Sequence, residues 1–134
     1  MTVSAIVLAA GAGTRMRSDR PKPLHRICGR PMVLHVIHAL EKLQPARTVV
    51  VVGHGSGAVV RRVRSEAPDW SHVAFVEQVE QNGTGDAAAI GMTALGGDDY
   101  DDDAIVVVVP GDAPLLSPDT LDELVATHVA NSNA

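Results

Sequence analysis

The chain has 134 residues, of which 46% are hydrophobic and 20% are charged, and its formal net charge is −5. This length and composition predict one globular domain over residues 1–134 and exclude a disordered chain. The negative charge and the scarcity of aromatic residues argue against a nucleic-acid partner. The single cysteine, Cys28, cannot form an internal disulfide, and no signal-peptide or membrane pattern is present. We therefore expect a cytoplasmic protein without a membrane partner.

The first apolar run, residues 3–8, is followed by small residues and by Gly11 and Gly13. It predicts a buried strand that leads into a tight loop, whose backbone amides suit a phosphate. Thr14 follows Gly13, which excludes a Walker loop, and Met16 argues against a dinucleotide fingerprint. A cluster of cations follows: Arg15, Arg17, Arg20, Lys22, Arg26 and Arg30. A solvated basic loop would explain the cluster, but its position after a strand favours a polyphosphate site.

The rest of the chain alternates between helix-like and strand-like segments. Apolar periodicity predicts four helices. The first has Pro31 as its first helical residue and ends near Leu43, the second spans residues 56–66, the third spans about 85–95, and the fourth begins after Ser117. Short apolar runs predict strands at residues 48–52, 73–76 and 105–109. This order predicts an α/β fold, a Rossmann-like three-layer α/β/α domain with a parallel sheet.

Ligands of such sheets lie beyond the carboxyl ends of the strands, where the strand order reverses. In the order 3-2-1-4, the first and fourth strands are neighbours, which would bring the glycine loop and its cations close to Gly111 and Asp112. Asp112 could be a turn or helix-capping residue. Opposite a basic loop it is better explained as a Mg²⁺ ligand, since Mg²⁺ binds one or two carboxylates together with substrate phosphates.

Several motifs resemble those of one family when they are taken in order. They are the run from Leu8 to Met16, Pro21-Lys22-Pro23-Leu24-His25, Gly29-Arg30-Pro31-Met32, Glu80-Gln81-Asn82-Gly83-Thr84-Gly85 and Gly111-Asp112-Ala113-Pro114. The chain is similar to the N-terminal part of the bacterial bifunctional N-acetylglucosamine-1-phosphate uridylyltransferases, which are sugar-nucleotide pyrophosphorylases. The resemblance implies a nucleotide-diphospho-sugar transferase fold. It also implies that the chain holds only the N-terminal half of the uridylyltransferase domain.

The activity implied by this resemblance is Mg²⁺-dependent transfer of UMP from UTP to N-acetylglucosamine-1-phosphate, for cell-wall precursor synthesis. Arg15 and Lys22 would be catalytic and would neutralise the triphosphate, and Asp112 would hold the metal. The resemblance assigns the nucleotide contacts to Leu8, Ala9, Ala10, Gly11, Gly13, Lys22, Gln78, Gly83 and Thr84. Of these, Gln78, Gly83 and Thr84 would contact the uracil base. Independently of the family, an amide such as that of Gln78 can both donate to and accept from a pyrimidine edge.

Two positions depart from the family pattern, because Asp86 stands where a histidine is usual and Pro110 where a tyrosine or serine is common. Two other functions remain open: another nucleotidyltransferase, acting on a different sugar phosphate or a cofactor precursor, and a non-catalytic nucleotide-binding module. The fourth strand is apolar at every position, which is typical of a strand buried on both faces, yet its outer edge has no partner in the predicted order. Such an edge predicts self-association.

Overall fold

The computed structural model describes residues 2–10, 26–27, 30–79, 83–95, 103–113 and 115–131. The strands are β1 (Val3–Ala9), β2 (Arg26–Ile27), β3 (Arg30–Pro31), β4 (Arg47–Gly53), β5 (Val73–Gln78) and β6 (Ile105–Pro110). The helices are α1 (Met32–His38), α2 (Gly57–Glu66), α3 (Thr84–Thr93) and α4 (Pro118–Ala130). Single 3₁₀ turns lie at Glu41–Leu43 and Asp69–Ser71.

Four strands form a parallel sheet in the order β5-β4-β1-β6. This is the 3-2-1-4 order expected from the sequence, because β2 and β3 form a separate two-stranded antiparallel ladder. The predicted α/β fold is therefore confirmed. The small β2–β3 ladder was not predicted, since two-residue strands leave no periodic signal.

The sheet is covered on both faces, which explains why its strands are continuous apolar runs. One face of β1 packs Val7 against Val33 and Val36 of α1, Val59 of α2 and Leu121 of α4. On the opposite face, Ile6 packs with Val49 and Val51 of β4 and with Ala87 of α3. The three layers expected from the sequence are thus present, with α3 alone on its face among the described helices.

The first helix is shorter than predicted. α1 ends at His38, and a 3₁₀ turn at Glu41–Leu43 follows instead of a continued α-helix to Leu43. Gln44, with φ of 43°, then stops the chain from continuing as a helix. Leu40 and Leu43 still pack on the core, which is why the apolar periodicity ran past the end of the helix. Pro31 is in β3 and precedes α1, so its predicted place as the first helical residue was also wrong.

The last helix begins where the sequence indicated. The Ser117 hydroxyl accepts a hydrogen bond from the Thr120 amide at 3.1 Å, which is an N-cap, and Pro118 is the first helical residue. The Lys42 ammonium donates to the Asp119 carboxylate and connects α4 to the 3₁₀ turn after α1. The hydrogen bond to Asp119 and the attraction of its charge raise the pKa of Lys42 above its usual value.

The expectation of double-sided burial for the fourth strand was wrong. Val107 and Val109 of β6 are buried, but Val108 is 45% exposed, and within the described sheet β6 pairs on one side only, with β1. The apolar run did not show that β6 is an edge strand, because an edge strand covered on one face can carry the same run of valines. None of the described helices is long and apolar enough to cross a membrane.

Candidate functional site

The four strands of the parallel sheet end at one edge. Ala9 of β1 lies opposite Val52 of β4, and Val52 lies opposite Glu77 of β5, while Leu8 pairs with Pro110 of β6. The residues that follow each strand therefore meet at this carboxyl edge, where α3 also begins. The edge also satisfies the condition for a ligand crevice, because the strand order reverses between β1 and β6: the chain moves outward from β1 to β4 and β5 and then returns to β6 on the other side of β1.

The end of β6 lies directly against the end of β1. The Gly111 amide donates to the Leu8 carbonyl oxygen at 2.8 Å. A Cβ atom on Gly111 would lie 2.9 Å from that oxygen and 3.4 Å from the Cα of Ala9, so only glycine permits this approach. Asp112, which is exposed, directly follows the residue that touches the end of β1. The glycine loop and cations that the sequence placed close to Gly111 and Asp112 lie outside the described residues.

Of the predicted nucleotide contacts, Leu8, Ala9 and Ala10 are part of this edge, with Ala9 and Ala10 buried. Gly11, Gly13, Arg15 and Lys22 lie outside the described residues.

The end of β5 is joined to the start of α3 through one buried side chain. Gln78 is only 3% exposed, and its amide nitrogen Nε2 donates to Asp86 Oδ2 at 3.0 Å. The same nitrogen lies 3.5 Å from the Gly83 carbonyl oxygen. Gly83 has φ of 94°, a conformation that side chains rarely adopt, and Thr84 begins α3 and is exposed. The three predicted base contacts, Gln78, Gly83 and Thr84, are therefore brought together.

The bond between Gln78 and Asp86 was not foreseen. The sequence marked Asp86 as a departure from the family pattern, and the eight-residue separation across a loop gives no local signal of a contact. A second unforeseen pair lies at the same edge. His54 follows β4, and its Nδ1 lies 3.4 Å from Glu77 Oε1, with both side chains largely exposed.

The described residues offer one candidate ligand for a metal at this position. Asp112 is an exposed carboxylate beside the end of β1, and nowhere in the described ranges do three His, Cys, Asp or Glu side chains group to hold an ion. A single carboxylate fits a Mg²⁺ ion whose other ligands are phosphate oxygens and water, and does not fit a metal held entirely by protein.

Comparisons with known proteins agree with this architecture. The family model described as the MobA-like NTP transferase domain matches residues 5–134. The chain belongs to this family. The chain is 48% identical over 131 residues to the bifunctional protein GlmU of Streptomyces coelicolor, and 46% identical over 127 residues to that of Alcanivorax borkumensis. The first match covers 98% of the chain and the second 95%, but each covers only 26% of the relative, so the chain spans about a quarter of the length of these proteins.

Solved structures share the same fold. A nucleotidyl transferase from Methanothermobacter thermautotroptrophicus has a TM-score of 0.74 and 25% identity over 93% of this chain and 57% of its own. HddC from Yersinia pseudotuberculosis, complexed with GMP-PN, has a TM-score of 0.71 and 23% identity, and the match covers 93% of this chain and 53% of HddC. The family membership and these likenesses support the nucleotidyltransferase class expected from the sequence.

Proposed function

We propose that the chain binds a nucleoside triphosphate at the carboxyl edge and acts in the transfer of UMP from UTP to N-acetylglucosamine-1-phosphate. The observation that carries the proposal is the convergence at one edge of the β1 end, the Gly111–Asp112 turn and the Gln78–Gly83–Thr84 group. The family of the domain and the name of its GlmU relatives support the class of reaction.

The base and the phosphates would occupy different parts of this edge. Gln78, Gly83 and Thr84 lie at the outer strand β5 and the start of α3, three strand spacings away from Gly111, with β4 and β1 between them. Neighbouring strands are about 4.8 Å apart, so the two groups are separated by about 14 Å, a distance that a nucleoside triphosphate can span. We place uracil at the first group. The triphosphate would follow Ala10 towards Gly11, Gly13, Arg15 and Lys22.

The chemistry needs charge neutralisation more than proton transfer. A phosphate oxygen of the sugar phosphate attacks the α-phosphorus of UTP and forms a new P–O bond, while the bond to the terminal diphosphate breaks. The products are UDP-N-acetylglucosamine and pyrophosphate. The attacking oxygen is already anionic, so no base is required, and the cost lies in bringing two polyanions into line. Arg15 and Lys22 would lower that cost.

Asp112 would hold Mg²⁺ against the phosphates. The ion, when bound, supplies positive charge that reduces repulsion between the two substrates. The contact of Gly111 with Leu8 would position this carboxylate, because it fixes where the Asp112 turn lies relative to β1.

Binding measurements with four nucleotides test the proposal. We expect titration calorimetry with Mg²⁺ to show tighter binding of UTP than of CTP, GTP or ATP. Pyrophosphate release that depends on N-acetylglucosamine-1-phosphate would show turnover, whereas binding without turnover would support a nucleotide-binding module. Equal binding of all four nucleotides, or preference for another one, would instead favour a different nucleotidyltransferase.

Variants of the cations separate a phosphate site from a solvated basic loop. We expect Lys22→Ala and Arg15→Ala to weaken UTP binding by about tenfold or more, since a hydrogen bond to a charged group contributes about 1.5–3 kcal/mol. Arg26→Ala and Arg30→Ala are the matched controls and should change binding much less. Small and equal effects at all four positions would contradict the proposed roles.

We also propose that the outer edge of β6 associates with another chain, for which a second copy is the simplest partner. The exposed Val108 supports this proposal, because apolar edge strands tend to pair. Light scattering should show a mass that rises with concentration, and Val108→Lys should reduce the rise. A concentration-independent monomer would refute it.

A further inference from the structure

The amide nitrogen of Gln78 faces two acceptors of the chain itself. Nε2 donates to Asp86 Oδ2 at 3.0 Å and lies 3.5 Å from the Gly83 carbonyl oxygen. The Gln78 side chain is 3% exposed, so these protein acceptors replace water around the amide nitrogen. Both N–H groups are thus directed at the protein. The group that the amide can still offer to a ligand is its carbonyl oxygen, Oε1.

The carboxylate of Asp86 determines this orientation. A glutamine amide can turn by half a rotation and exchange its oxygen and nitrogen, and a neutral partner that both donates and accepts would tolerate either state. An ionised carboxylate only accepts. Turning Gln78 would place Oε1 against Oδ2, two acceptors without a proton between them, in a buried position where such a mismatch is costly.

We propose that Asp86 is a positioning residue for base recognition, which holds the Gln78 amide with Oε1 towards the bound nucleotide. The inference rests on the proposed function and extends it. A site that offers an acceptor selects a base that carries a proton at the facing atom. Uracil carries a proton at N3, whereas N3 of cytosine is an unprotonated acceptor. Asp86 therefore favours UTP over CTP although it need not contact either base.

The test compares the ratio of the UTP and CTP dissociation constants in Asp86→Asn and in the unchanged chain. Asparagine has nearly the same shape but can accept or donate, so it allows the Gln78 amide to turn. We expect the preference for UTP to fall by roughly tenfold, through weaker UTP binding together with tighter CTP binding, since one mismatched buried hydrogen bond has about this effect. Glu77→Gln is the matched control, because it removes the same charge beside Gln78 without touching the amide, and the ratio should not change.

A second comparison shows whether Asp86 acts through Gln78. In a Gln78→Ala background, Asp86→Asn should leave the ratio as it is. A further fall there would mean that Asp86 acts by another route and would overturn the inference. An equal loss of UTP and CTP affinity in Asp86→Asn, or an unchanged ratio, would overturn it while leaving the proposed function intact. Failure of the unchanged chain to bind any nucleoside triphosphate would refute both.

A measurement on the unchanged chain does not depend on whether the variants fold. The Nε2 protons of Gln78 should exchange slowly with water in nuclear magnetic resonance spectra, and the proton directed at Asp86 should resonate outside the range of exposed glutamine amides. Rapid exchange, or shifts equal to those of an exposed glutamine, would show that Asp86 does not hold the amide.

Discussion

Two glycines of α3 should respond in opposite ways to the same substitution. A Cβ on Gly91 would lie 2.7 Å from Ile6 Cγ2 and 3.1 Å from Val51 Cγ2, while a Cβ on Gly85 would meet nothing within 4 Å. Carbon atoms pack at about 3.5–4.0 Å, so Gly91→Ala requires a shift of nearly 1 Å. Ile6 and Val51 are fully buried and branched at Cβ, and neither can turn away.

The size of the effect follows from two opposing terms. Alanine gains about 1 kcal/mol over glycine in a helix, and overpacking a core costs about 1–3 kcal/mol. Because both neighbours of Gly91 are rigid, we take the upper cost and expect a net destabilisation of about 2 kcal/mol for Gly91→Ala. For a domain of this length that lowers the melting temperature by about 7 °C. Gly85→Ala has no packing cost and should raise the stability by about 0.5–1 kcal/mol.

Thermal unfolding followed by circular dichroism, with urea unfolding as a second probe, measures both changes. The comparison concerns the site because the contact at Gly91 determines how closely α3 lies on β1 and β4. The reasoning is refuted if Gly91→Ala is as stable as Gly85→Ala, since α3 would then have to pack more loosely than the contacts at Gly91 indicate.

Three further predictions concern single side chains. Thr48→Val should stabilise the chain by about 1 kcal/mol, because the Thr48 hydroxyl is fully buried and finds no hydrogen-bond partner in the described part of the chain. A loss of stability in urea unfolding would contradict this prediction. Gly111→Ala should weaken UTP binding, because the added Cβ would push the Asp112 turn away from Leu8. Gly57→Ala is the control and should leave binding unchanged, since its Cβ would meet only the movable Arg61 side chain. Equal affinities of the two variants by calorimetry would count against the Gly111 contact. Asp119→Asn should return the raised pKa of Lys42 towards 10.5, as followed by a carbon-13 titration of its Cε. Because the pKa of Lys42 is higher in the folded chain than in the unfolded chain, the contact between Lys42 and Asp119 stabilises the fold below pH 10.5. This contribution should disappear as the pH rises through the pKa of Lys42 in the folded chain. An unchanged Lys42 pKa in Asp119→Asn would refute the contact.

The fold could be predicted because its signals are local. Runs of β-branched residues marked the four sheet strands, and Ser117 with Pro118 marked the start of α4. The exact ends were harder to predict: β5 continues to Gln78, two residues beyond the apolar run, since ladder pairing with Gly53 continues regardless of side-chain polarity. α1 was predicted to be too long because Leu40 and Leu43 continue the helical spacing of core residues after the helix has ended.

The candidate site was only partly predictable. The neighbourhood of β1 and β6 followed from the order 3-2-1-4, which is a usual order of doubly wound parallel sheets. The contact between Gln78 and Asp86 depends on how α3 packs against β5, which no residue pattern encodes. The close approach at Gly111 is similar, because a glycine in a sequence does not show which backbone atom it must admit.

Mapping of the bound nucleotide by amide chemical shifts tests the central claim most directly. Titration of the ¹⁵N-labelled chain with UTP and Mg²⁺ should shift the amides of Ala9, Ala10, Gly83, Thr84 and Asp112, and the side-chain amide of Gln78. Amides at the opposite ends of the strands, such as those of Ser4, Thr48 and Ala74, should stay unchanged. Shifts concentrated at those amino ends, or no change at the carboxyl edge at saturating UTP, would contradict the account.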